Sequence, residues 1–185
     1  MTSPQNIVTQ FVEKRAALGC DLKQYSSVAW DVERIIAIKK ETLSPLWKFR
    51  WNSALAEAAM QSGYRETALH RFQKLLENLD SSIPPLEIAY ICGKISHLLP
   101  DGDPDGDRFS ERARDLYLMG GARISAVHFQ INRAIRLEQQ NPPLALSLLR
   151  EASTWVTNDD LYSREAKARI SNFTAGGSSN SLTAR

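Results

Sequence analysis

Disulfide chemistry is nearly absent from this chain: 185 residues hold two cysteines, Cys20 and Cys92. Neither sits in a C-x-x-C pair, which excludes a disulfide-stapled scaffold and suggests two buried apolar thiols in a reducing compartment. Long apolar runs are missing as well. Nothing approaches ~18 consecutive apolar residues, and the opening MTSPQNIVTQFVEKR mixes polar with apolar side chains. It reads as neither a signal peptide nor a membrane anchor, so the expected location is cytoplasmic. Charge of one sign is scarce too. A net charge of +2 without a Lys/Arg block neither demands nor excludes nucleic acid. No segment alternates apolar and polar residues between turn signals, so no strand is expected.

Reaction motifs are equally sparse. His70, His97 and His128 are far apart and form no H-x-x-x-H pair. Gly93-Lys94 is not a phosphate loop: no glycine stands at the matching upstream position, and Ile95 replaces the Ser or Thr that would meet magnesium. No G-x-S-x-G elbow is present. The expectation is a non-enzymatic protein without catalytic residues, cofactor or metal. One acidic stretch competes with that view. Asp101, Asp103, Asp105 and Asp107 with Gly106 resemble the first half of a calcium loop. Arg112 stands where the closing bidentate Glu belongs, however, and Pro104 stiffens the segment. The alternative is a solvated acidic loop whose last Asp residues cap the helix after it.

What is present is helical periodicity. A 43% hydrophobic and 24% charged composition is ordinary for a globular protein, and the length suits one domain or one short array. Helices are expected at about 5–18, 26–42, 45–62, 64–79, 85–99, 109–119, 123–140, 144–156 and 159–173, separated by turns at Gly63, Pro84-Pro85, Gly120-Gly121 and Asn141-Pro142-Pro143. Segment 100–108 is expected as the one long polar loop. Ser44-Pro45 is an N-cap followed by proline in the first turn. Trp30, Trp47, Trp51 and Trp155 are expected in the core. On the helix at 123–140, Ile124, Val127, Ile131 and Ile135 are expected to face inward. The fold class is therefore all-α, antiparallel hairpins of about eight or nine helices. The expected domain is 1–173, with 1–43 as a cap or hairpin and 174–185 as a disordered tail.

The stretch from Trp51 to Asp80 carries a further signal. Leu55 and Ala56 lie in its first half, Gly63 at its turn, and Ala68 and Phe72 four apart in its second. At that spacing it resembles a tetratricopeptide repeat (TPR). It departs from the pattern at Trp51, one residue before the usual Trp position, at Ala59 in place of Tyr, and at Asp80, where Pro is common. Weaker matches follow at Ala89, Cys92 and Gly93, at Ala113 and Tyr117, and at Ala145, Leu149 and Ala152.

The resemblance implies a short TPR-like array whose first helices line a partner-binding surface. It places Arg50, Ser53, Glu57 and Met60 on that surface, then Glu87, Tyr90, Lys94 and His97; the helix at 123–140 fits the repeat badly at Arg133, and Phe129, Arg133 and Arg136 are added because they sit away from its expected inward face. The function it implies is a protein–protein interaction adaptor, chaperone or regulator holding a peptide or helix of a partner; bacterial secretion chaperones with such repeats are one class of this size. Two alternatives remain. Arg108, Arg112, Arg114, Arg123, Arg133 and Arg136 could meet the phosphates of a nucleic acid. Apolar surface around Trp47 could instead join copies of the chain into a homo-oligomeric scaffold.

Overall fold

Three of the helices open with the same device, a short polar residue followed by proline. Ser44-Pro45, Asp103-Pro104 and Asn141-Pro142 each set an N-cap whose side-chain oxygen accepts a backbone N–H of the first turn. Proline at the first helical position gives up only an N–H that the helix leaves unpaired there. The computed structural model describes residues 44–100 and 102–155, together with helical positions 30–34, 37, 164, 167–168 and 170–172. Its complete helices are α1 (Pro45–Gln61), α2 (Arg65–Glu77), α3 (Pro85–Leu98), α4 (Pro104–Met119), α5 (Arg123–Leu137) and α6 (Pro142–Thr154). No strand occurs among the described residues. The expected helix at 5–18, Cys20 and the tail at 174–185 lie outside them.

The chain divides into two compact units, 1–87 and 88–185. In the first, α1 packs on α2. Leu55 and Ala58 of α1 meet Val32 of the earlier helical segment, with Trp51 and Ala54 beside them. Ala56 and Ala68, both fully buried, leave little side chain between backbones, and Phe72 is fully buried on α2. Thus Leu55, Ala56, Ala68 and Phe72, which carried the repeat resemblance, are core. Removing a ring of that size from water stabilises the fold by about 2 to 3 kcal/mol.

In the second unit, α4 packs on α5 and α5 on α6. Val127, Ile131 and Ala134 of α5 interlock with Ala145, Leu148, Leu149 and Ala152 of α6, and Trp155 and Ile170 pack at the edge. Helix α3 contributes Ala89, Ile91, Cys92 and Ile95, all fully buried. Helices α3 and α5 approach closely at Gly93: a Cβ built there would lie 2.2 Å from Cζ of Phe129. Only a residue without a side chain fits under that ring.

Several expectations need correction. Helix α4 begins at Pro104, not near 109, so most of the expected polar loop is helix. Asp103 is its N-cap and accepts the Asp105 N–H at 2.8 Å. Asp105 and Asp107 fill the first turn, where negative charge meets the positive end of the helix dipole. From Asp103 onward the acidic stretch is therefore a capped helix start, and Asp101 lies outside the described residues. The expected inward face of α5 is also rotated: Ile124 and Ile135 are exposed, while Gln130 and Arg133 are buried. Trp30 and Trp47, 54% and 49% exposed, are not core residues.

Candidate functional site

The candidate site residues divide by burial, and burial follows from what each side chain meets. In the first unit, Arg50 is exposed on α1. Its Nε donates to Glu87 Oε1 at 2.7 Å, and its guanidinium lies 5.5 Å from the Trp47 ring centroid. Trp47 in turn stacks on Trp51 at 6.4 Å between centroids. An indole that is half exposed, backed by a second indole and overlaid by a cation, offers a rigid apolar plate with a polar rim. Glu57 and Met60 are half-buried on the same helix. Ser53 is buried, because it faces the α1 packing surface, so it offers no contact at the surface.

A similar arrangement recurs in the second unit. Lys94 Nζ lies 4.9 Å from the Tyr90 ring centroid on α3. Both side chains are half-buried, and His97 is exposed one turn on. Each unit thus has a first-helix cation laid over an aromatic ring near solvent. Sequence reasoning chose Arg50, Tyr90 and Lys94 but missed Trp47. The signal was available: Trp47 stands four residues before Trp51, the spacing of one helical face, and both indoles cannot enter the same small core.

The residues expected on α5 do something else. Arg133 is buried and forms a two-pronged contact with Asp107 of α4, Nε to Oδ1 at 2.7 Å and Nη2 to Oδ2 at 2.8 Å. Its remaining nitrogen, Nη1, meets Glu111 Oε1 at 2.6 Å. Every face of this guanidinium is used to join α4 to α5, which corrects its placement on a partner-facing surface. Gln130 continues the network. It accepts from Arg114 Nη1 at 3.2 Å and donates to Glu151 Oε2 at 2.6 Å, tying α4, α5 and α6 together. Phe129 is also turned inward. It stacks on Tyr117 at 5.5 Å and covers Gly93. Arg136 differs from both: its Nη2 is buried and has no hydrogen-bond partner.

Two titrating groups report the same interior. Burial pushes the Cys92 thiol up to about 11, outweighing the opposing pull of Arg112, so the thiol is neutral and inert as a nucleophile near pH 7. Burial, and then the neighbouring Cys92, raise Tyr117. Elsewhere the expected arginine cluster is partly consumed by its own acids: Arg108 pairs with Asp105 and Arg114 with Asp115. Among the described residues no group of His, Cys, Asp and Glu side chains is placed to hold a metal ion. No described helix is long and apolar enough to cross a membrane.

No family model matches the chain, and no characterised protein matches it in sequence. Its backbone is similar to solved structures. A Podosopora anserina chain described as a kinesin light chain with nearly identical TPR-like repeats superposes with a TM-score of 0.69, at 12% identity, over 98% of this chain and 92% of that one. A variant of that protein gives a TM-score of 0.39 at 15% identity, over 96% and 99% of the two chains. The fold is therefore TPR-like: all-α, built of stacked helix hairpins.

Proposed function

We propose that this TPR-like chain is a non-enzymatic adaptor that holds a peptide segment or helix of a protein partner against the exposed faces of its first helices. The observation that carries the reading is the paired cation-over-ring arrangement, Arg50 on Trp47 in one unit and Lys94 on Tyr90 in the other. Aromatic rings and arginine contribute most to the energy of protein interfaces. Here Trp47 and Tyr90 are the anchors, and Arg50, Glu87, Lys94 and His97 set the register by charge. Glu57 and Met60 extend the first face. The role needs a binding surface and no reacting group. A cytoplasmic chaperone or regulator is its narrower form.

The test is capture of partners by the tagged wild-type protein and by a Trp47→Ala/Tyr90→Ala variant, with nuclease present and absent. Support is a stoichiometric protein that survives nuclease and is lost with the variant, whose melting temperature stays near wild type. Binding that disappears on nuclease treatment and falls steeply with salt would replace this reading with a nucleic-acid role. Recovery of the chain alone, with a mass that rises with concentration and drops in the variant, would replace it with self-association.

A further inference from the structure

The two complete helices of the first unit leave a furrow along their seam. It has a wider part of about 320 Å3 and a narrower part of about 260 Å3, and both parts have Asn52, Leu75 and Asn78 in their walls. Helix α1 supplies Lys48 and Asn52. Helix α2 supplies Arg71, Lys74 and Leu75, and Asn78 caps its C-terminal end. Residues three and four apart share a helix face, so each set stands in a row along the seam. From Arg71 to Asn78 the row covers ~10 Å, the length of about three residues of extended peptide.

The charge of the furrow narrows its occupant. Lys48 and Lys74 are exposed, and among the described residues neither meets a carboxylate. Arg71 reaches Glu33 at 3.6 Å, with both side chains open to water; such a pair contributes at most ~1 kcal/mol and is readily exchanged. The narrower part has Arg71 and Lys74 in its wall and, among the described residues, no carboxylate. Asp80 lines only the wider part, where its Oδ1 accepts the Ser82 N–H at 2.8 Å.

The two amides narrow it further. Asn52 Nδ2 donates to Lys48 O at 2.7 Å, and Asn78 Nδ2 donates to Lys74 O at 2.9 Å. These bonds fix both amide planes and leave on each a carbonyl oxygen and a second N–H. A peptide group offers the matching donor and acceptor, whereas a phosphodiester backbone offers acceptors only. Phe49, Leu75 and Ile83 add apolar surface to the wider part, which suits a side chain next to the acidic one.

We propose that this furrow is a second docking groove, which takes a short extended peptide segment with an acidic side chain between Arg71 and Lys74 and its backbone against Asn52 and Asn78. The groove uses none of the residues of the Trp47 and Tyr90 surface and does not depend on that reading.

The test is selection of binders from a library of random decapeptides displayed on phage, with the full chain as bait, followed by fluorescence anisotropy of the selected peptides. The expected consensus has Asp or Glu beside an apolar residue. Lys74→Glu is expected to weaken such a peptide about tenfold at a melting temperature near wild type, because Lys74 is exposed. Arg71→Gln is expected to weaken it less, and Trp47→Ala/Tyr90→Ala to leave it unchanged. Should Lys74→Glu melt lower, Lys74→Gln decides, since it removes the cation without placing a carboxylate near a helix C-terminus. A consensus without an acidic position overturns the proposal, as does an acidic peptide that the Lys74 and Arg71 variants bind as tightly as wild type does. Loss of the peptide in Trp47→Ala/Tyr90→Ala also overturns it and moves the acidic site to the first-helix surface. Displacement of the peptide by an equal concentration of oligothymidylate overturns it in favour of phosphate binding.

Discussion

The turn after α1 and the turn after α4 are nearly the same object built from different residues. Ser62, Gly63 and Tyr64 have φ of −83°, +85° and −83°; Gly120, Gly121 and Ala122 have −80°, +76° and −85°. The bonds also match. Ser62 N–H donates to Ala58 O and Tyr64 N–H to Ala59 O, as Gly120 N–H donates to Leu116 O and Ala122 N–H to Tyr117 O. The helices that follow nevertheless bury different chemistry. Helix α2 turns Ala68 and Phe72 inward. Helix α5 turns Gln130 and Arg133 inward beside its aliphatic residues. One backbone solution thus accepts either an apolar or a partly polar interface, provided each buried polar group finds its partner.

The largest predicted effect tests the apolar side of that comparison. Phe72→Ala removes a fully buried ring and is expected to cost about 4 kcal/mol in urea unfolding. The polar side comes next. Arg133→Ala leaves Asp107 and Glu111 facing each other without their shared cation, and about 3 kcal/mol of destabilisation is expected. Were Arg133→Ala to cost less than about 1 kcal/mol, the value of an exposed ion pair, the network would be incidental and the two interfaces would not be comparable.

Between these chemistries sits Cys92, a polarisable group in an apolar part of the second unit. Its thiol ionises at 9.0 in the unfolded chain and near 11 in the folded one, because burial disfavours the thiolate. From pH 9 to 11 the unfolded state therefore releases a proton that the folded state keeps, and stability falls as pH rises. The loss is expected to reach at most about 3 kcal/mol and to vanish in Cys92→Ala. A Cys92→Ala protein with the same alkaline slope as wild type would assign the slope to other groups.

The apolar half of this comparison was legible in the sequence and the polar half was not. Leu55, Ala56, Gly63, Ala68 and Phe72 announce a hairpin because periodic apolar residues and a turn glycine each have one ready physical reading. On α5 the same logic misplaced the inward face. Ile124 and Ile135 are as apolar as Ile131, and nothing local reveals that Asp107 and Glu111 lie on a facing helix to draw Arg133 inward. The start of α4 was legible but overlooked: Asp103-Pro104 repeats the signal of Ser44-Pro45, and the calcium-like spacing concealed it. Of the candidate site, helical spacing puts Arg50 with its neighbours on one face and Tyr90 with Lys94 on another, and only the repeat resemblance implies that these faces meet a partner.

The smallest predicted effect bears most directly on the two turns. Gly63 and Gly121 both have positive φ, and a Cβ at either would meet nothing within 4 Å. Gly63→Ala and Gly121→Ala therefore probe backbone strain alone, without a packing clash. Each is expected to cost about 1 kcal/mol, the left-handed penalty of an L side chain, and the two costs should agree within about 0.5 kcal/mol and add in the double variant. Gly93→Ala is the contrasting case. Its backbone is helical, so alanine there is favoured by propensity, yet the new Cβ strikes the Phe129 ring. A loss at Gly93 that Phe129→Leu relieves, beside equal losses at Gly63 and Gly121 that it leaves untouched, would separate close packing from backbone conformation. Unequal costs at Gly63 and Gly121 would mean that the helices behind the turns, and not the turns themselves, set how much strain each unit tolerates.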